Sequence, residues 1–155
     1  MAETKKLATD LVDQSSISHV FGYHMAMAYI PVKASFDKHI GAQLGLSRVE
    51  FTILMLSRSN PVLTQKTLAQ FLSVSSPTIT VLLDKMEQKR WIERRRSQSD
   101  RRHVDVSLTG SGRKVAEKAH SASLTYEKEV LRHLTPAEQA LLLEFLDRVA
   151  GHRRV

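Results

Sequence analysis

Cysteine is absent from the 155 residues. That excludes disulfide scaffolds, thiolate-held zinc and iron–sulfur centres, thiol nucleophiles and cysteine-based oxidant sensing together. Long apolar runs are lacking as well. The longest charge-free stretch, Gln14 to Val32, is 19 residues and opens on polar side chains; its apolar part, Val20 to Val32, is 13, whereas a bilayer-spanning helix needs about 20 apolar residues. It is therefore expected as a buried helix, with no membrane partner. Lys5 and Lys6 are followed by no apolar segment, so the N-terminus does not read as a secretory signal. Catalytic signatures are missing too: there is no His-Glu-x-x-His, no Gly-rich phosphate loop and no Gly-x-Ser-x-Gly, and the seven histidines are scattered. Gly110-Ser111-Gly112 follows a strand pattern, but Ser111 has no assignable base. An enzyme is not expected, nor a metal or cofactor. What remains describes a cytoplasmic protein of one domain, or of two small lobes sharing a core. A chain this long buries about 70% of its unfolded surface without staples.

What the chain has in excess is positive charge, 23 Lys+Arg against 16 Asp+Glu, and it is unevenly placed. Residues 1–46 are neutral, with four basic and four acidic groups. Residues 47–110 hold eleven basic and six acidic groups, and residues 111–155 hold eight and six. From Arg94 to Arg102 five of nine residues are Arg, opposed only by Asp100. A charge run is commonly a solvated face. Arg rather than Lys, however, offers a planar donor fork suited to phosphates and base edges, which favours nucleic acid.

Helix signals recur along the chain. Ser47-Arg48-Val49-Glu50 and Thr135-Pro136-Ala137-Glu138 read as capping boxes. Thr64 can cap residues 65–72, and Ser76 before Pro77 can cap the next helix. A long helix is expected from Thr109 to about Leu134. Leu141, Leu142, Phe145, Leu146 and Val149 form a helical stripe on the last. The first helix, about 16–42, contains Pro31, which should kink it. Its Val20–Val32 portion is apolar all round, so both sides need cover, and a second subunit is one source. Only one region reads as strand: Val104, Val106 and Leu108 alternate with Asp105 and Ser107, opposite a segment opening at Trp91–Ile92. Between them lies a polar, Arg-rich hairpin tip. The fold class is mainly α with a small β-hairpin.

Residues 65–84 have the pattern of a helix–turn–helix. Leu68, Leu72, Val74, Ile79 and Leu82 supply an inner face, with small Ala69 at the crossing. Ser73 stands where a left-handed conformation favours Gly. The second helix turns Ser76, Thr78, Thr80, Val81 and Lys85 outward, short side chains that let a helix sit in a major groove. A hairpin directly after such a motif is a wing.

These residues carry a resemblance. Leu63–Ala69, Val74–Thr80, Leu82–Glu87 and the wing signature Asp100-Arg101-Arg102 running into Val106-Ser107-Leu108-Thr109 are similar to the MarR family of bacterial transcription regulators. The chain departs from it at Arg90, where the family often has Gly, and at Val81, where many members carry a basic residue. The resemblance implies a homodimer. Residues 1–46 and 111–155 would form its helical dimerisation region, and residues 47–110 a winged helix–turn–helix. Two recognition helices would enter successive major grooves of a pseudo-palindrome, about 34 Å apart. Ser76, Pro77, Thr78, Thr80 and Lys85 would face the groove, and the helix N-termini at Thr64 and Ser76 would meet phosphates. Arg101 or Arg102 would enter the minor groove, oriented by Asp100. Arg94, Arg95 and Arg96 would contact phosphates or flank the wing.

The resemblance also implies release from DNA by a small aromatic or anionic effector. His19, Tyr23 and Met27, with His24 beside them, offer a lining, and Arg48 could pair an anion; the same residues serve equally as interface or core. Repression is the family's commoner mode. A sequence-tolerant architectural nucleic-acid binder is the alternative, and its sign would be salt-dependent binding indifferent to sequence.

Overall fold

The computed structural model describes residues 12–97 and 102–151. The chain divides into two compact units, residues 1–34 and 35–155. In the first, a turn leads into helix α1 (Phe21–Phe36), which runs through Pro31 and ends inside the second unit. Helical structure starts at Phe21 rather than near residue 16. The expected single helix to residue 42 is instead α1, a π turn (Asp37–Gly41) and the short α2 (Ala42–Leu44). Within the first unit Val20, Phe21, Met25, Tyr29 and Ile30 are all exposed. The Val20–Val32 stretch is thus helical almost throughout, but in the single chain it is uncovered rather than buried.

The second unit holds the core. After the left-handed Gly45, Ser47 caps α3 (Arg48–Ser59) with the expected reciprocal box: Glu50 N–H donates to Ser47 Oγ (3.2 Å), and Ser47 N–H to Glu50 Oε2 (2.8 Å). Strand β1 (Leu63–Thr64) leads into α4 (Gln65–Leu72) and α5 (Ser76–Gln88). Strands β2 (Ile92–Arg96) and β3 (Val104–Leu108) follow, then α6 (Gly110–Val130) and α7 (Pro136–Ala150). The wing is a three-stranded antiparallel sheet, ordered β1-β3-β2, rather than a bare hairpin. β1 is two residues long, too short to show a period, and pairs Leu63 with Val106. The alternation in β3 is as expected, with Val106 and Leu108 buried. The long helix ends at Val130, not Leu134, because residues 131–134 form a turn whose Leu131 and Leu134 carbonyls accept from Gln139 Nε2.

Ile53 and Leu54 of α3, Leu68 of α4, Ile79, Leu83 and Met86 of α5, Ile92, Val106 and Ala116 form one buried cluster. Phe36 packs edge-on to Phe51 and Tyr126, with centroids 5.6 and 6.0 Å apart. α3 and α6 are further tied by a two-point Arg58–Glu117 pair (2.9 and 3.3 Å). None of α7 is buried; Leu141, Leu143, Phe145 and Val149 are exposed in the single chain.

Two turns need a left-handed residue. Ser73 (φ 53°) ends α4 and Arg90 (φ 57°) ends α5. Each sits in a Schellman motif: Val74 N–H bonds Ala69 O and Trp91 N–H bonds Met86 O, both at 3.0 Å. Both positions are the ones where Gly would be the unstrained choice. Immediately beyond, Thr109 caps α6 through Gly112 N–H (3.0 Å), and its own N–H donates to Trp91 O (3.1 Å). The backbone of Gly112 lies so close that a Cβ there would sit 1.8 Å from Trp91 O.

Three variants test this account. Gly112→Ala must push a backbone strand aside and is expected to cost at least about 3 kcal/mol. Arg90→Gly relieves the left-handed strain and is expected to raise Tm by about 3 °C, roughly 1 kcal/mol. Thermal melts of the two variants read opposite signs. Glu50 provides a pH test. Burial raises its pKa, but Lys89 Nζ at 2.6 Å and the Ser47 amide and hydroxyl outweigh it and leave the pKa below the ordinary 4.5. A depressed carboxylate stabilises the fold fully above its unfolded pKa and loses that contribution as pH falls through the folded value. Denaturant melts of Glu50→Gln should therefore lie below wild type at neutral pH and converge on it as the pH falls through that depressed value.

Candidate nucleic-acid interface

The exposed outer side of α5 is built by how its start is capped. The cap is Ser75 rather than Ser76: Ser75 Oγ accepts from Thr78 N–H (3.4 Å), which leaves Ser76 and Pro77 in the first turn. Sequence alone favoured Ser76 because it precedes Pro, but Pro sits one place further in. Ser76, Pro77, Thr78, Val81 and Lys85 are all exposed. Thr80 is half-buried and its hydroxyl is engaged inside the protein, donating to Ser76 O (2.9 Å) and accepting from Gln65 Nε2 (2.8 Å). It helps to fix the crossing of α4 on α5 rather than to present a polar group outward. Thr64 caps α4 as expected, accepting from Thr67 N–H (3.0 Å).

The wing arginines divide into two kinds. Arg94 is the main correction to the sequence reading. It is only 21% exposed, and its guanidinium is held by Glu87 (2.7 Å) and Asp84 (2.5 Å). Its backbone N–H donates to Glu87 Oε1 as well (3.1 Å). Glu87 chiefly, against the opposing effect of burial and with help from Asp84, holds Arg94 still more firmly protonated than usual. Arg94 therefore binds the wing to the C-terminal half of α5 and does not reach outward for a phosphate. It also offsets two carboxylates near a helix C-terminus, where the dipole disfavours them. Arg95, 75% exposed, pairs with Glu93 (2.9 Å) at the surface, a contact too solvated to hold it against a better partner. Arg96 and Arg102 are exposed. Asp100 and Arg101 lie outside the described residues, so their roles rest on the sequence. Arg102, His103 and Val104 line one small cleft of about 170 Å³ with Gln65, Lys66 and Ser76, which joins the starts of α4 and α5 to the wing.

Sequence reasoning missed Asp84 and Glu87 as the wing's anchor, and missed Gln65 at the crossing. A signal existed. Asp84 and Glu87 stand at i, i+3 on one helix face, and a paired acid face inside a basic segment calls for a cation.

The residues named for an effector fall in different units. His19, Tyr23, His24 and Met27 lie in the first, and Arg48 at the exposed start of α3 in the second. Within the first unit the Tyr23 and His24 rings meet edge-on at 5.6 Å. Tyr23 OH donates to Gln14 Oε1, and a His24 ring nitrogen lies 2.7 Å from Ser18 O. Among the described residues no cluster of His, Asp and Glu could hold a metal ion. None of their helices is long and apolar enough to cross a membrane.

Known proteins match this geometry. The MarR family model matches residues 46–104. The HTH-type transcriptional regulator YpoP of Bacillus subtilis is 36% identical over 109 residues, 70% of this chain and 77% of that protein. The multiple antibiotic resistance protein MarR of Escherichia coli is 31% identical over 107 residues, 68% and 74% of the two chains. Among solved structures, the transcriptional repressor CouR bound to a 23-mer DNA duplex superposes with a TM-score of 0.83 at 28% identity, covering 90% of this chain and 98% of that one. These relatives are transcriptional regulators, not enzymes. An outward α5, a wing anchored to it and this likeness together place the chain in the MarR family, as a DNA-binding transcriptional regulator.

Proposed function

We propose that the protein is a homodimeric, sequence-specific repressor that binds a pseudo-palindromic operator and is released by a small aromatic or anionic effector. The observation that carries the reading is the exposed outer side of α5 beside an Arg-bearing wing, in a chain with large uncovered apolar faces elsewhere. Phe145 is 51% exposed and Ile30 60%; Phe21, Met25 and Tyr29 on the helix of Ile30 are exposed too, as are Leu141, Leu143 and Val149 on that of Phe145. Contiguous apolar surface of this kind marks an association site, and a second copy with the same faces satisfies it by two-fold symmetry. Residues 1–46 and 111–155 then form the dimerisation region and residues 47–110 the DNA-binding region.

Each half-site would receive one α5. Ser76, Pro77, Thr78 and Lys85 face the groove, and the N-termini of α4 and α5, at Thr64 and Ser76, face phosphates. Arg95 and Arg96 contact backbone phosphates, and Arg101 or Arg102 enters the minor groove with Asp100 beside it. The effector reading rests on the exposed His19, His24 and Met27 beside the half-buried Tyr23, all within the first unit.

The first experiment is selection of random duplex DNA by the purified protein. An enriched pseudo-palindrome with half-sites about one helical turn apart supports the reading. Binding without a motif that fades as salt rises would replace it with an architectural role. Sedimentation should show a dimer. On the selected operator, Arg101→Ala with Arg102→Ala should weaken binding at least tenfold with Tm unchanged, and Arg95→Ala with Arg96→Ala should lower the salt slope by about 2. Arg94→Ala should behave differently: a lower Tm, reflecting a stability loss of roughly 1–3 kcal/mol for two carboxylates left without their cation. Equal effects of Arg94 and Arg96 on Tm would overturn the division drawn between them.

A further inference from the structure

The outer face of α5 carries little free hydrogen-bonding capacity. Thr80 spends its hydroxyl on Ser76 O and Gln65 Nε2. Thr78 Oγ1 shares a hydrogen bond with the cap Ser75 Oγ (2.8 Å). The exposed polar side chains left along this face are Ser76 at its start and Lys85 near its end. Between them, Thr78, Val81 and Lys85 fall at i, i+3 and i+7, a single stripe on the helix. At the centre of the stripe is an isopropyl group: Val81 is 53% exposed. Its neighbours Leu82 and Leu83 are turned inward, so Val81 is no part of the core.

A major groove offers such a group one complementary feature, the C5-methyl of thymine, since every other base-edge signal there is a hydrogen-bond donor or acceptor. From this we infer that Val81 is a specificity-determining residue: it reads a thymine methyl in each operator half-site, where a longer basic side chain would read guanine. Burying the valine methyls against the thymine methyl removes apolar surface from water on both partners. At about 0.8 kcal/mol per methyl-sized group, the preference is about fourfold per half-site and about sixteenfold for a dimer on both. The inference rests on α5 being the groove-reading helix, as proposed above.

The test uses the full-length protein on the operator recovered by selection, with each half-site thymine replaced in turn by deoxyuridine. That change deletes the methyl and leaves pairing and hydrogen bonds intact. With the methyl deleted in both half-sites, wild type should bind about sixteenfold more weakly. Val81→Ala should bind the thymine operator more weakly and show no difference between thymine and uridine at that position. An exposed helical Val→Ala exchange does not threaten folding, and circular dichroism checks it. Equal wild-type affinity for all uridine operators would overturn the inference while leaving sequence-specific binding intact. Discrimination that survives in Val81→Ala would overturn it too, moving the methyl contact to another residue. A selection that enriches no motif would fail both this inference and the reading it rests on.

Discussion

The geometry of the DNA-binding region hangs on one crowded junction, where α5 ends, the wing begins and α6 starts. Arg90 turns the chain in the left-handed region, and its carbonyl accepts from the Thr109 hydroxyl (2.6 Å) and from Ser111 Oγ. Trp91 donates back to Met86 O and accepts from Thr109 N–H. Gly112 lets the backbones come this close, since any side chain there would occupy the Trp91 carbonyl. The Arg90 and Trp91 amides thus find partners in the last turn of α5, and their carbonyls at the start of α6. The direction in which α5 points is therefore fixed by the start of α6, through hydrogen bonds and steric exclusion rather than apolar packing alone.

Charge does a second, separate job at the same place. Placing two carboxylates, Asp84 and Glu87, in the second half of α5 disfavours the helix and opposes an anionic ligand nearby. Arg94 neutralises both and in doing so couples β2 to the helix. On the neighbouring helix Glu50 plays the matching role, its oxygens shared between the Ser47 amide and Lys89, whose ammonium also lies 4.3 Å from the Trp91 ring centroid. So part of the positive charge that marks the middle of the sequence is internal structure. The exposed part of the wing's charge is smaller and sits further out, on Arg95, Arg96 and Arg102.

This split explains what the sequence did and did not disclose. Both capping boxes, the Thr64 cap, the inner face of the helix–turn–helix and the alternation of β3 were legible, because each depends on residues a few positions apart. The left-handed turns at Ser73 and Arg90 were legible as places where Gly would be expected. Less was readable where a contact joins distant residues. Composition could not tell Arg94 from Arg96, since the difference lies in which carboxylates the fold brings to each. Period could not reveal β1, because two residues have none. The π turn at Asp37–Gly41 left no mark either: it is a helical residue count gone long, and Ile40 stays buried through it.

The same long-range logic bears on how α6 serves the DNA-binding region. At its start Thr109 and Ser111 hold the Arg90 carbonyl, and near its end Glu129 accepts from Lys38 (2.9 Å) and pairs with His39 (2.5 Å) on the π turn. His39 first and Lys38 second hold the Glu129 carboxyl down to about 2, so this end stays anionic and engaged across the range in which proteins work. An unbroken helix of 21 residues spans roughly 30 Å. One continuous helix thus joins the ion pairs on the π turn at its far end to the close-packed junction at Gly112 at its start, where the exit of α5 is held.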